Sequence, residues 1–482
     1  MSANRRTFYL IAIGGTAMAP LAALLVERGD RVLGSDLPLY PPMSDRIAAL
    51  GIQVRPGFAA ANLPPDVDAV VVGNLAGKDN PELVAALERG LPVASMPETL
   101  RREFLGGRHP VVVAGTHGKT TTTALTAWVL ASAGRAPGYL IGGEPVDLPA
   151  PSAIGGGPAF VIEGDEYSTS WADKGPKFLH YAPRTFVLTS VEFDHADLYA
   201  DLPAVKDAFS RGLAIVPPDG GIVAFADDPN VREVLGSASA PVTTYGLSGR
   251  NGTDLLARGV TLDGEGARFE VVERGRLLLE ARTRLAGRHN VANALAATAV
   301  GRAFGLTAGE IARGLSTFRG VARRLELKGT VGGVTVVDDF AHHPTAVATT
   351  VDGARRRFEG RRLWAVFEPR SITAGRADFA ADYEEALSGA DAVAVARPFH
   401  AARLARAGGP GALDAGALSE ALARRGKETL SAPDAEGLVA ALLPRLSPGD
   451  VVLAMSSGSF GGFCGRLLSA LSAREEAASR TA

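Results

Sequence analysis

Residues 110–123 read PVVVAGTHGKTTTT, and the fold turns on how this stretch is understood. Four small apolar residues, Val111, Val112, Val113 and Ala114, run into Gly115, a two-residue spacer, and then Gly118-Lys119-Thr120. The usual phosphate-loop spacing G-x-x-x-x-G-K-[ST] is not met, because Val113 stands five positions before Gly118. The context fits nonetheless: a short β-rich run, a glycine turn, and a helical stretch from Thr121 to Ala131 with Leu125, Trp128 and Val129 on one side. Strand, turn and helix in that order aim backbone N–H groups and the positive end of the helix at phosphate oxygens. Lys119 would add a mobile charge at the β- and γ-phosphates, and Thr120 a hydroxyl ligand for Mg²⁺. The plainer reading, a glycine-rich turn with an exposed lysine, does not account for the whole ordered arrangement.

Working outward, 482 residues exceed what one hydrophobic core usually serves, so several domains are expected. A formal charge of −2 gives no basis for a nucleic-acid partner, which needs clustered positive charge. The single cysteine, Cys464, excludes an internal disulfide and a thiolate metal cluster, and fits a reducing compartment. The first apolar run, Phe8–Ile13, is too short to span a bilayer, and no uninterrupted run reaches about 18 residues. A cytoplasmic enzyme without membrane insertion is expected. Only seven of the 50 basic residues are lysines, so a lysine beside glycines is worth weighing.

Residues 7 to about 106 alternate apolar runs (Phe8–Ile13, Val32–Leu33, Val67–Val72, Pro92–Ala94) with helix-like stretches such as Ala17–Glu27 and Asp45–Leu50. This βα rhythm implies a parallel sheet. Its first loop, Gly14-Gly15-Thr16-Ala17-Met18-Ala19, lacks the full G-x-G-x-x-G fingerprint and serves equally as a packing turn or a second phosphate site. Arg108-His109-Pro110 marks a junction, and a larger α/β unit runs to about Phe318, with a β-meander near 240–285. The remainder opens with GVARR and resumes the rhythm at Val334–Val337, Leu363–Phe367, Ala392–Ala396 and Val451–Met455, with a surface-like helical region near 401–440. Three α/β domains are expected, at 1–107, 108–318 and 319–482.

Two probable strand ends carry acids. Phe160-Val161-Ile162 leads into Glu163-Gly164-Asp165-Glu166, and Phe186–Thr189 into Ser190-Val191-Glu192-Phe193-Asp194-His195. Gathered carboxylates call for a cation, and hard oxygen ligands favour Mg²⁺ over zinc. Asn290 reads as the cap of an alanine-rich helix from Ala292 to Ala303, while Asn290 and Asn293 can equally offer amides to an adenine edge. Asp338-Asp339-Phe340-Ala341-His342-His343-Pro344 reads as a constrained strand-exit loop, and adjacent histidines make a poor zinc pair. Arg323, Arg324 and Arg370 are read as anion contacts, with an ordinary surface position as the alternative.

In this order, GTHGKT (115–120), EGDE (163–166), EFDH (192–195), HNVAN (289–293), Arg323-Arg324 and DDFAHHP (338–344) resemble the Mur ligases, ATP-dependent amide-forming enzymes of peptidoglycan synthesis. The longer strings GSDLPLYPPMS (34–44), VIEGDEY (161–167), KFLHYAP (177–183), FEPRSIT (367–373) and MSSGSFGG (455–462) resemble members that act on UDP-N-acetylmuramate and take a whole tripeptide. The resemblance implies a Rossmann-like N-terminal domain for the UDP-sugar, a central P-loop ATPase domain, and a Rossmann-like C-terminal domain that closes the site. It assigns Gly115, Thr116, His117, Gly118, Lys119, Thr120, Thr121, Asn290, Asn293, Arg324 and Asp339 to the nucleotide. Thr120, Glu163 and His195 fall to Mg²⁺. Gly14, Gly15, Thr16, Ser35, Asp36, Asn74, Glu192, His343 and Arg370 fall to the other substrates, and Lys119, His195, Arg324 and His342 to catalysis.

The implied reaction joins the carboxylate of UDP-N-acetylmuramate to the amine of L-alanyl-γ-D-glutamyl-meso-diaminopimelate through an acyl phosphate. His342 or a nearby carboxylate would take the ammonium proton. The alternatives are L-alanine as the amine, a folylpolyglutamate-type ligase, and a nucleotide-gated binding protein without turnover. A monomer or weak homo-oligomer is expected. Two departures stand out: Pro20 in place of a common glycine, and Gly164 in place of the usual alanine, a change that looks harmless by size. No lysine lies at 190–195 to match the carbamylated lysine of other branches.

Overall fold

The computed structural model describes residues 5–39, 43–74, 76–249, 252–406 and 411–481. Tyr40, Pro41 and Pro42, within the 34–44 string, lie outside them. The chain builds three sheets. In the first, all-parallel strands stand in the order Val54–Pro56, Arg31–Asp36, Thr7–Ile11, Ala69–Val72, Val93–Ser95. Thr7–Ile11 is fully buried and pairs on one side with Arg31–Ser35 and on the other with Ala69–Val72. Loops from three neighbouring strands therefore meet at its carboxyl end, where open α/β sheets place ligands.

The second sheet has ten strands, with His109–Ala114 between Thr185–Leu188 and Ala159–Gly164, both parallel to it. Its edge is the antiparallel meander Leu255–Asp263, Gly266–Glu273, Arg276–Thr283, in the region where the sequence placed one. The strands beside the glycine turn are mostly apolar where buried, with helices covering both faces, and the buried Thr185 has its hydroxyl paired with His109. On one face Phe178 lies against Phe186 and Phe209, with ring centroids 5.6 Å apart in each pair. The third sheet runs Glu326–Val331, Val334–Asp339, Val451–Met455, Leu363–Phe367, Ala392–Ala396, Glu428–Ala432, with only the first strand antiparallel. Among the described residues, no helix is long and apolar enough to cross a membrane.

Three local expectations fail. The 401–440 region contains the edge strand Glu428–Ala432, whose five residues are too few and too mixed to carry a period-2 signal. The helix expected from Ala292 begins at Arg288, and Gly287 caps it. Asn290, expected as the cap, lies inside, with its Nδ2 donating to the Ala286 carbonyl at 2.7 Å. Gly164 is fitted rather than neutral: a Cβ there would stand 2.7 Å from Val112 Cγ1. Pro20 sits in the first turn of helix Met18–Arg28, where proline is tolerated, and its carbonyl accepts from Ser152 Oγ.

Cys464 lies on the helix Phe463–Thr481 against the third sheet, and burial with Asp338 nearby pushes its thiol up to about 12. The thiolate is the reactive form. Native protein at pH 8 is therefore expected to react with a thiol reagent at least about tenfold more slowly than protein unfolded in urea, measured by absorbance of the released chromophore.

Candidate active site

The shortened glycine turn is seated on both sides. Gly115 has φ +130°, and a Cβ there would lie 2.3 Å from Thr189 Oγ1. Gly118 has φ +80°, and its Cβ would meet Asn293 Oδ1 at 2.9 Å. Thr116 N donates to the Ser190 carbonyl at 3.0 Å, His117 N to Ser190 Oγ at 2.9 Å, and Thr189 Oγ1 to the His117 carbonyl at 2.5 Å. The end of strand Thr185–Leu188 thus braces the turn, and the helix Lys119–Ser132 starts directly from Gly118.

The carboxylates of 163–166 diverge. Glu163 accepts from Thr120 Oγ1 at 2.8 Å and from Gly142 N at 2.7 Å, and burial raises its pKa although Lys119 and Thr120 oppose this. Asp165 pairs with Lys177 at 2.6 Å; burial would raise its pKa, but Lys177 together with Lys119 and the Tyr167 N–H holds it below the usual range. Glu166 Oε1 takes Lys119 Nζ and His195 Nε2, each at 2.9 Å, and these cations likewise outweigh burial. Lys119 Nζ also donates to the carbonyls of Gly115 and Thr116, and Glu166 with its acidic neighbours raises its pKa against burial. Burial would lower His195, but Glu166 and Asp194 carry it up to about 9. His195 also adopts φ +54°, in the left-handed region, and its imidazole faces Glu166.

The third sheet docks on this region. Arg324 NH2 reaches Thr120 Oγ1 at 3.4 Å, and its guanidinium lies over the Phe340 ring. Asp339 is buried and holds the Arg324 loop: its carboxylate accepts from Leu325 N, Ala341 N and Thr350 Oγ1. His343 and Thr345 meet the 192–195 segment at Phe193 O and Glu192 Oε2. His342 turns the other way, its Nε2 3.7 Å from Asp194 Oδ2, so the two histidines do not converge. Burial lowers the His342 pKa.

Family models match all three parts: Mur ligase family, catalytic domain, over residues 7–105; Mur ligase middle domain over 113–301; and Mur ligase, glutamate ligase domain, over 323–458. The chain belongs to the Mur ligase family. It is 37% identical over 98% of its length, and 99% of the relative's, to the UDP-N-acetylmuramate–L-alanyl-gamma-D-glutamyl-meso-2,6-diaminoheptandioate ligase of Escherichia coli (strain K12). It is 39% identical, over 93% of its own length and 96% of the relative's, to the UDP-N-acetylmuramate–L-alanine ligase of Rubrobacter xylanophilus. The crystal structure of a murein peptide ligase from Psychrobacter arcticus 273-4 matches with a TM-score of 0.72 at 33% identity, covering 97% of this chain and 99% of that one.

Within this Mur ligase fold the expected residues fall into three groups. Gly115–Thr121, Glu163, His195 and Arg324 converge at the carboxyl end of the central sheet. Asn290 and Asn293 lie behind the glycine turn, where Thr122 Oγ1 donates to Asn293 Oδ1 and Asn293 Nδ2 to Asn290 Oδ1. Gly14, Gly15, Asp36 and Asn74 line a separate cavity of about 270 Å³, in which Gly14 N donates to Asp36 Oδ2 at 2.7 Å. Ser35 is not among the residues lining that cavity: it is fully buried, and its Oγ donates to Glu82 Oε2. Arg370 stacks on the half-exposed Phe399 at 3.8 Å, with Glu368 at 3.5 Å. Reading the sequence missed Lys177 as the partner of Asp165, although it is one of the scarce lysines and follows Gly175-Pro176. Nothing local marks Glu82 or Thr345.

His289, beside Gly287 and Arg324, is pushed down to about 4, first by burial and then by Arg324. The unfolded chain therefore takes up this proton before the folded chain does, so stability rises with pH between about 4 and 6.5. The His289→Gln variant is expected to flatten that slope by on the order of 2 kcal/mol, measured as urea unfolding free energy at pH 4.5 and 7.

Proposed function

We propose that this chain joins the free carboxylate of UDP-N-acetylmuramate to the amine of L-alanyl-γ-D-glutamyl-meso-diaminopimelate, using ATP. On this reading residues 1–107 hold the UDP-sugar, 108–318 the nucleotide, and 319–482 the peptide and the closing contacts. The observation that carries the chemistry is the convergence of Lys119, Thr120, Glu163 and Arg324 from two domains at one sheet end. The near-full-length relative in E. coli supports the tripeptide over L-alanine as the amine.

A divalent cation fits the donor set. Thr120 Oγ1 and Glu163 Oε1 are adjacent oxygen donors, burial raises the Glu163 pKa, and Glu166 Oε2 is buried without a hydrogen-bond partner. Mg²⁺ held by Thr120 and Glu163 would neutralise phosphate charge. His195 would have to release Glu166 to join them.

The chain's own contribution is positioning and charge. The N–H groups at the N-terminus of helix Lys119–Ser132 receive phosphate oxygens, while those of Thr116 and His117 stay engaged by Ser190. Lys119 must swing from its own carbonyls and Glu166 toward the γ-phosphate. Arg324 then covers that phosphate from the C-terminal domain while the sugar carboxylate attacks, giving an acyl phosphate and ADP. Closure keeps water from the acyl phosphate until the peptide amine displaces phosphate. On this reading His342 accepts the ammonium proton; its position beside Asp194 and the lowering of its pKa by burial support that role.

Lys119→Ala is expected to lower kcat at least about 10³-fold, the scale of a lost transition-state charge contact, while UDP-sugar affinity measured by calorimetry changes less than about twofold. The function itself is tested by mass spectrometry of products from UDP-N-acetylmuramate, ATP and Mg²⁺ with either amine. The tripeptide adduct is expected, with kcat/KM at least about tenfold above that for L-alanine. The reverse order would assign the L-alanine reaction, and no ADP release with either amine would leave a binding protein.

A further inference from the structure

His117, Glu192 and His343 come from three separate segments and bring one ligating atom each to within 4.8 Å of the others. His117 lies in the glycine turn, Glu192 follows the strand Thr185–Leu188, and His343 caps the helix Pro344–Arg357 of the C-terminal domain. We propose that these residues form a zinc-class metal site, distinct from the Mg²⁺ position at Thr120 and Glu163, which staples the glycine turn to the C-terminal domain.

Glu192 Oε2 lies 3.4 Å from His117 Nε2 and 3.6 Å from His343 Nδ1. Ligands of a tetrahedral ion at about 2.0–2.1 Å stand roughly 3.3 Å apart, so small side-chain shifts complete the set. The decisive atom is His343 Nδ1. The ring's Nε2 lies 3.2 Å from the Phe193 carbonyl and donates its proton there. Nδ1 is thereby left with a lone pair, buried, without a hydrogen-bond partner, and facing a carboxylate oxygen. A buried lone pair facing a carboxylate oxygen is unfavourable unless a cation lies between them. The outer contacts match those of metal ligands: the non-ligating N–H of His343 is fixed by a backbone carbonyl, and Thr345 Oγ1 donates to the Glu192 carboxylate at 2.6 Å. Two imidazoles and one carboxylate are the donors of a zinc-class ion, whereas Mg²⁺ prefers oxygen alone. Glu192 and His343 also line a cavity of about 540 Å³ between the central and C-terminal domains, which leaves a fourth position for water or an anion.

The test uses the full-length protein, purified with chelator and then titrated with Zn²⁺ by calorimetry in excess Mg²⁺, which occupies sites built of oxygen donors. One saturable Zn²⁺ per chain is expected, and the melting temperature should rise with zinc. Glu192→Gln and His343→Asn should each weaken binding at least about tenfold and remove that rise, while His180→Gln, away from the cluster, should bind as wild type. X-ray absorption on the wild-type zinc complex should give two imidazole nitrogens and one carboxylate oxygen at about 2.0–2.1 Å, a readout independent of whether a variant folds. Absence of saturable binding, full affinity in either ligand variant, or a coordination shell without two imidazoles would overturn the proposal.

Discussion

The site depends on how tightly the glycine turn is seated between the end of strand Thr185–Leu188 and the helix Arg288–Ala303. Gly115 leaves no space for a Cβ beside Thr189, and Gly118 almost none beside Asn293. These contacts fix the direction in which helix Lys119–Ser132 leaves the sheet, and with it the positions of Lys119 and Thr120. Longer phosphate loops can wrap a phosphate with their own backbone. Here the neighbouring strand and helix supply part of the frame, which is why Thr189, Ser190 and Asn293 belong to the same assembly as the turn.

Electrostatics follow from that frame. Three acids leave the neighbouring strand, and two of them, Asp165 and Glu166, are each matched to a lysine. Glu163 is not, and its raised pKa marks where added positive charge would be most favourable. Lys119 rests on Glu166 and on its own turn, so the lysine that a phosphate would engage is stored within reach in a satisfied geometry. The C-terminal domain enters this field through Arg324, whose loop is held by the buried Asp339 rather than by direct contact of Asp339 with the turn.

The docking segment 192–196 links the central and C-terminal domains. Glu192 takes Thr345, the Phe193 carbonyl takes His343, and Ala196 N donates to Thr373 Oγ1. Ring contacts join these polar ones: Phe193 stacks on Phe379, with centroids 6.5 Å apart, and Arg376 lies over the Phe193 ring.

The sequence by itself determined the α/β class, the positions of most strands, the glycine turn, and the acids and histidines that end the strands, because each is a local pattern of apolar runs broken by glycine or charge. It did not reveal that Asn290 and Asn293 serve as the back wall of the turn, that Ser35 is buried on Glu82, that Asp165 answers to Lys177, or that His342 and His343 point apart. Each of those facts depends on which strands lie side by side and how one domain rests on another. That is set by packing between residues up to 204 positions apart, such as Thr120 and Arg324, or 171 for Thr122 and Asn293, and no local period records it.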